Sequence, residues 1–337
     1  MIPLHLEIVY LAIGIPSLIF YAVVIVALLK KSNKDVFGLP FYRIFAVICV
    51  VDCINYVVNT VAFRLPMCPN FAFLYENLKP SFVTRLFHLG VYFCGFFVTF
   101  GQCLITINRF SAVAFPLKHH KFWQRYHLHC IGLALLICFA FSGHTLLSTT
   151  VFQRFQVDGV VFYTIYMDDR ARWFCPMHSE PPVMSISVMG KPLQLQLIIA
   201  CALSCTGVVF QVVLNSTTII LLVRRRKATT RATFNKKLPK TELTLFFLSM
   251  AMFLLSLSGA LYNIIITLLI YTESDALMGF LDYYLWVADV NNLSAPYLLC
   301  LVSASARRTV LEAIGLKAKQ NKATVQLFSR TASSTRA

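Results

Sequence analysis

The sequence predicts an all-α membrane protein, a seven-transmembrane helix bundle with its N-terminus outside and its C-terminus cytoplasmic. Three observations predict it. Seven long stretches are apolar and nearly free of charge inside. Charged residues make up 13% of the chain, where a soluble domain carries about 25%. Lys and Arg fall overwhelmingly at one end of those stretches. With 58% hydrophobic residues and a mean hydropathy of +0.70, the 337 residues suffice for one bundle without a separate soluble domain.

A hydrocarbon core of ~30 Å takes ~20 helical residues at ~1.5 Å rise each, and a backbone in lipid must satisfy its own hydrogen bonds. Ile8–Leu29, between Glu7 and Lys30, is the first such run, and lacking a basic start it reads as a signal-anchor. Ile44–Phe63 lies between Arg43 and Arg64, and Leu86–Asn108 between Arg85 and Arg109. The others are 130–152, 193–223, 243–272 and 283–306. An odd number puts the termini on opposite sides. After them, 307–319 carries Val310, Leu311 and Ile314 between basic residues, the pattern of a short amphipathic helix on the inner leaflet. The small, polar segment 320–337 is expected to be a disordered tail.

Orientation follows from the basic residues. The loops after spans one, three and five and the tail hold 22 Lys and Arg, and the opposite side holds seven, among nine acidic residues. That asymmetry sets the N-terminus outside. The net charge of +16 therefore belongs to short juxtamembrane segments and is no nucleic-acid signal. The run Arg224–Lys240 serves topology and anionic lipid, and it also offers a docking surface for a cytosolic protein.

Nine of the 11 cysteines fall in or beside spans and read as small buried hydrophobes. Only Cys68 and Cys175 lie in outer loops, where an oxidising compartment invites a disulfide; two unpaired thiols are the alternative. The aromatics of the long outer loop 153–191 fit an interfacial belt or a lid, and the sequence leaves both open. His119, His120, His127 and His129 lack the spacing of a helix-face pair, so no metal or other cofactor is read.

Polar residues inside spans are costly and so point to the bundle interior and to function. Asp52 in span two and Asp289, Asn291 and Asn292 in span seven form the expected buried polar network, with a role in packing or switching. Both acids read as lying at the middle or toward the cytoplasmic half. At the inner end of span three stands INRFSAVAFP, with Arg109 closing the helix and Pro116 seven residues on. An arginine there snorkels to the interface or serves a switch.

Taken with LPFYRIF, VVDCINYVVN and FRLPMCP around span two and VADVNNLSAPYLLCLVSASARR across span seven, this motif resembles the rhodopsin-type seven-helix receptors. More narrowly, the chain resembles the nematode serpentine chemoreceptors of class gamma (Srg), over nearly the whole membrane portion. The resemblance implies a plasma-membrane receptor, in sensory neurons, that binds a small-molecule ligand from outside and signals to a cytosolic heterotrimeric G protein. It implies coupling and switch roles for Asn108, Arg109 and Pro116. Asp52 is similar to the buried aspartate of helix two, and Pro296–Tyr297 to part of the helix-seven Asn-Pro-x-x-Tyr element. Departures are visible: span one has no asparagine, span four no tryptophan, span six no proline, and Asn108 stands where an acid precedes the arginine. Pairing of two receptors into a dimer is left open.

A transporter or ligand-gated channel is the competing class, but there is no paired Gly/Pro interruption or repeat, and the inverted topology of odorant-gated channels opposes the basic-residue count. No HExxH, GxSxG or phosphate-cradling glycine loop speaks for an enzyme.

Overall fold

The computed structural model describes residues 4–30, 39–157, 160–168, 191–232, 240–272 and 276–315. Helix α1 is Leu4–Leu29 and α2 is Pro40–Asn59, running on through a π-helical turn, Thr60–Arg64, into a last turn, Leu65–Met67. Helix α3 is Phe82–Ala114, α4 Pro116–Ser142, α5 Lys191–Ala232 and α6 Lys240–Tyr271. The seventh helical segment is split into α7, Ala276–Leu293, and α8, Ala295–Val302; α9, Ala304–Ala313, follows. Among the described residues, six helices are long and apolar enough to cross a membrane, among them Pro116–Leu146 and Ile198–Arg225. The protein is a multi-pass helical membrane protein.

Helix α3 is the hub, touching α2, α4, α5 and α6, while α7 closes the bundle against α1, α2 and α6. Glycines set the close approaches. A Cβ on Gly14 would overlap the Tyr56 hydroxyl, and one on Gly207 would sit 2.7 Å from Thr99 Cγ2. Without them α1 could not reach α2, nor α5 reach α3.

Both boundaries of the fourth expected span differ from the sequence expectation. The segment expected to cross at 130–152 is helical from Pro116, which starts α4 after the break at Phe115 because proline fits a first helical turn. Helix α4 consequently does hold a buried tryptophan, Trp123 at 1% exposure. Its far end stops at Ser142, a 3-10 turn follows, and 149–152 belong to a strand.

Strands β1, Thr149–Val157, and β2, Val160–Asp168, pair as an antiparallel hairpin, with Val157 opposite Val160 and Phe155 opposite Phe162. The residues between are Asp158 and Gly159, the composition of a two-residue hairpin turn flanked by β-formers, a signal the helical reading passed over. Phe152, Tyr163 and Ile165 pack on Ala62, Ala72 and Tyr75. The start of α3 is tied to the hairpin through Thr84, whose hydroxyl closes a capping box with Ser81 and donates to the Thr150 carbonyl at 2.9 Å.

The amphipathic segment expected at 307–319 contains α9, capped by Ser303 onto the Ala306 N–H. Ala306 and Val310 join the main core rather than a free apolar edge. Residues 316–319 of that segment and the expected tail, 320–337, lie outside the described residues, as does Cys175 of the expected disulfide; Cys68 is buried at the end of α2.

Candidate functional site

Polar side chains run along the inside of α1, α2, α3 and α7 in four successive groups, from the end bearing the hairpin to the end bearing Arg109. At the hairpin end, Arg64 and Asp289 form an ion pair with exposures of 1% and 14%. The Arg64 guanidinium also lies over the Tyr10 ring at 4.5 Å and the Tyr56 ring at 5.2 Å. Trp286 packs on Tyr10 with centroids 4.6 Å apart. Glu7 is fully buried within electrostatic reach of both members of the pair. Tyr75, beside it, has its hydroxyl pushed up to about 12 by burial and by the Glu7 carboxylate, and it donates to the Val61 carbonyl at 2.7 Å.

This group corrects two expectations. Asp289 was placed at the middle or toward the Arg109 end, and it stands at the hairpin end. Arg64 and Glu7, read as charges marking span boundaries, are interior. The physical reason lies in the π-turn at Thr60–Arg64. An extra residue in one turn shifts the phase of everything after it, and such bulges cluster at functional sites. Arg64 is thereby carried inside, and the carbonyl that the turn frees at Val61 is taken by Tyr75.

One step further in, Asn59 Nδ2 donates to the Asn55 carbonyl at 2.9 Å and to its side-chain oxygen at 2.8 Å, and Asn55 Nδ2 donates to Asn292 Oδ1 at 3.0 Å. Helices two and seven are thus joined by amides. Asn291 is not part of this chain; it bonds the Val287 carbonyl at 2.9 Å and faces Gly259 of α6, where a Cβ would come within 3.3 Å of it.

The third group sits at the break in the seventh helical segment. Pro296 has no N–H, so the carbonyl four residues earlier, that of Asn292, loses its helical partner, and the ring forces the chain apart. A buried carbonyl needs another donor. Tyr21 of α1 supplies it: its hydroxyl donates to the Asn292 carbonyl. That hydroxyl also faces Asp52, which is 1% exposed and whose Oδ1 has no hydrogen-bond partner among the described residues. Tyr297, just past the proline, stacks on Phe20 at 4.7 Å and shares a 3.0 Å hydrogen bond with Ser17.

At the far end, Arg109 is 8% exposed, bonded to the Asn108 side-chain oxygen and seated over the Phe41 ring at 4.4 Å. It is therefore covered by α2 rather than extended outward. Nearby, Trp123 Nε1 donates to Ser111 Oγ at 2.8 Å, and Arg43 donates to His127 Nε2 at 3.1 Å. That leaves His127 Nδ1 as the donor to the Trp123 carbonyl, at 2.9 Å.

Of the expected network, Asp52, Asp289 and Asn292 are all interior; Asp52 and Asn292 meet around the Tyr21 hydroxyl, and Asp289 stands apart with Arg64. Missed were Glu7, Tyr21, Asn55, Asn59 and Arg64. The asparagines were the findable ones, since an amide inside a span is as costly as it is informative.

A serpentine bundle of membrane helices with a polar interior is the class these features define. The Srg family chemoreceptor model matches residues 7–310, and the chain belongs to that family. Among its relatives is serpentine receptor class gamma-11 of Caenorhabditis elegans, 21% identical over 312 residues, which are 91% of this chain and 81% of that protein. Serpentine receptor class gamma-5 of the same organism is 23% identical over 306 residues, 88% of this chain and 82% of the relative. The match to serpentine receptor class gamma-20 is higher, 32% over 90 residues, but the chain spans only a quarter of that relative's length there.

Proposed function

We propose that the protein is a chemosensory receptor of the plasma membrane, oriented with Met1 outside and Ala337 in the cytosol, that binds a small external molecule and activates a cytosolic heterotrimeric G protein. The observation that carries this reading is the polar axis itself. It joins a charged, aromatic-lined end of the bundle to a buried arginine at the other end through α2 and the broken seventh helical segment. Asp52, Asn292 and Pro296 are the residues across which the two ends communicate; Asn108 and Arg109 form the coupling end. Pro116 fixes where α4 departs from it.

The mechanism is a shift between two bundle arrangements. A ligand moves that balance only by as much as it prefers one arrangement over the other. In the arrangement described here Arg109 is covered by Phe41 and bonded to Asn108, which fits the resting state. Opening α2 from α3 would release it toward a partner.

Reconstitution tests the reading. The purified protein with added heterotrimeric G protein should give stimulus-dependent nucleotide exchange across a library of small metabolites. Ion or solute flux without any G protein would replace this reading with the transporter or channel class. Tags at Met1 and Ala337 supply the topology: the first should be accessible on intact cells and the second only after permeabilisation.

A further inference from the structure

The end of the bundle that holds Arg109 also holds two α4 histidines in hydrogen bonds of opposite kind. His119 Nδ1 and Trp123 Nε1 both reach Ser111 Oγ of α3, at 3.0 and 2.8 Å. The Ser111 hydroxyl gives its own proton to the Asn108 carbonyl at 3.0 Å. It can only accept from the other two, so His119 Nδ1 is a donor. An imidazole donates from Nδ1 in that way whether it is neutral or charged. His127, two turns further along α4, is the reverse case. Its Nδ1–H is taken by the Trp123 carbonyl, and its Nε2 accepts from the Arg43 guanidinium of α2. Arginine has no lone pair to offer. The bond between α2 and α4 therefore exists only while the His127 ring is neutral.

The first turn of α2 hangs on that bond. It starts at Pro40 and carries both Arg43 and Phe41, the buried ring that lies over the Arg109 guanidinium. Arg43 is exposed, so once displaced its charge passes into water, whereas His127 is buried. A proton on Nε2 would set a second positive charge against the guanidinium where a hydrogen bond had been. The other charged or titratable groups at this end would not offset it. Arg109 of α3 lies within electrostatic reach of His119, and α4 itself adds His119, His120 and Arg125. None of these is a carboxylate, and the ion pairs found among the described residues, Arg64–Asp289 and Arg308–Glu312, lie elsewhere.

We propose that His127 is a proton-operated latch on the Arg109 end: a proton taken up at Nε2 displaces Arg43, frees the first turn of α2 and lets Phe41 leave Arg109. The proton adds to the Nε2 lone pair, the N–H···N bond to Arg43 breaks, and the guanidinium is left to water. His119 has no such role, because its bond to Ser111 is the same in both protonation states. On the orientation proposed above the proton comes from the cytosol, and acid favours the arrangement in which Arg109 is uncovered. That consequence for signalling rests on the receptor reading; the latch itself does not.

The test therefore uses the purified full chain in uncharged detergent, with no G protein present. Amide hydrogen exchange over Ile44–Cys49, corrected for the intrinsic effect of pH on exchange, reports how firmly the start of α2 is held. It is compared at about pH 7.5 and about pH 5.5, either side of the ordinary imidazole value of ~6.5. The unaltered protein should exchange at least about threefold faster at the lower pH. In His127→Gln the side-chain oxygen accepts from Arg43 and takes no proton, so protection should be the same at both. Arg43→Met changes an exposed position and removes the bond outright; its protection should be weak and equal at both. His119→Gln should keep the response to pH. Protection that does not change with pH in the unaltered protein would overturn the proposal without recourse to any variant. A response that survives in His127→Gln or Arg43→Met, or that is lost in His119→Gln, would also overturn it. Failure of the latch with intact nucleotide exchange would leave the receptor reading standing, and a working latch without any G-protein activation would leave the latch standing alone.

Discussion

Each end of the bundle buries an arginine, and the two are held in opposite ways. Arg64 at the hairpin end is paired with a carboxylate, Asp289, and sandwiched by Tyr10 and Tyr56. Arg109 at the other end has an amide, Asn108, and an aromatic face, Phe41. A guanidinium in a buried ion pair cannot leave without stranding a charge on each side. One held by neutral groups gives up a hydrogen bond and a ring contact, and water or a partner can replace both. The first arrangement fastens helices two and seven together; the second is suited to being undone. Under the receptor function proposed above, this difference would let the bundle stay assembled at one end while its other end changes partners.

Asp289→Ala should break the comparison hardest. It leaves Arg64 charged in the interior, and losing one member of such a pair costs about 3–5 kcal/mol. Thermal unfolding in detergent should show the loss, and adding Arg64→Met should recover most of it. If the double variant is no more stable than the single, the ion pair is not what fastens this end.

Gly14→Ala comes next. Its Cβ would collide with the Tyr56 hydroxyl, and overpacking of this kind costs about 1–3 kcal/mol. Because Tyr56 is one of the rings over Arg64, the same change should loosen the hairpin end. Gly14→Ala combined with Tyr56→Leu, which removes the colliding hydroxyl, should be milder than the sum of the two changes.

The middle of the axis gives a subtler test. Tyr21→Phe leaves the Asn292 carbonyl unsatisfied, a penalty of about 1–3 kcal/mol. Pro296→Ala restores an N–H four residues on, so in that background Tyr21→Phe should cost much less. Additive losses across this double-mutant cycle would mean that tyrosine and proline are unrelated.

How much of this was legible in the sequence depends on what kind of signal each feature leaves. Runs such as 8–29 and 243–272 declare themselves, because lipid demands an apolar helix of that length. Where the helices end does not follow from hydropathy. Helix α4 continues through Lys118, His119 and Arg125 to Pro116, since a helix does not stop where the apolar run does. The same blindness hid the site. Arg64 and Glu7 looked like the charges that close a span, and only a π-turn, which no composition reveals, carries Arg64 inside. Asp52, Asp289 and Asn292 were legible as costly intramembrane groups, but which of them meet was decided by helix packing. The break at Ser294 was within reach, since Pro296 stands in the middle of an expected span. The hairpin was announced by Asp158–Gly159 and overlooked because its first residues extend an apolar run.

Arg109→Ala carries the smallest expected stability change, about 1–2 kcal/mol for a desolvated ring contact and a hydrogen bond to a neutral group. It should leave surface delivery intact while removing G-protein activation, measured at matched expression. Unchanged activation would reduce Arg109 to a helix-closing residue.

The contrast between the two ends is tested most directly by unfolding Asp289→Ala and Arg109→Ala side by side in the same detergent. Asp289→Ala is expected to lower the unfolding temperature well below that of the unaltered protein, with Arg109→Ala remaining close to it. Equal losses in the two variants, or a larger loss in Arg109→Ala, would contradict the assignment of one arginine to fastening the bundle and the other to switching it.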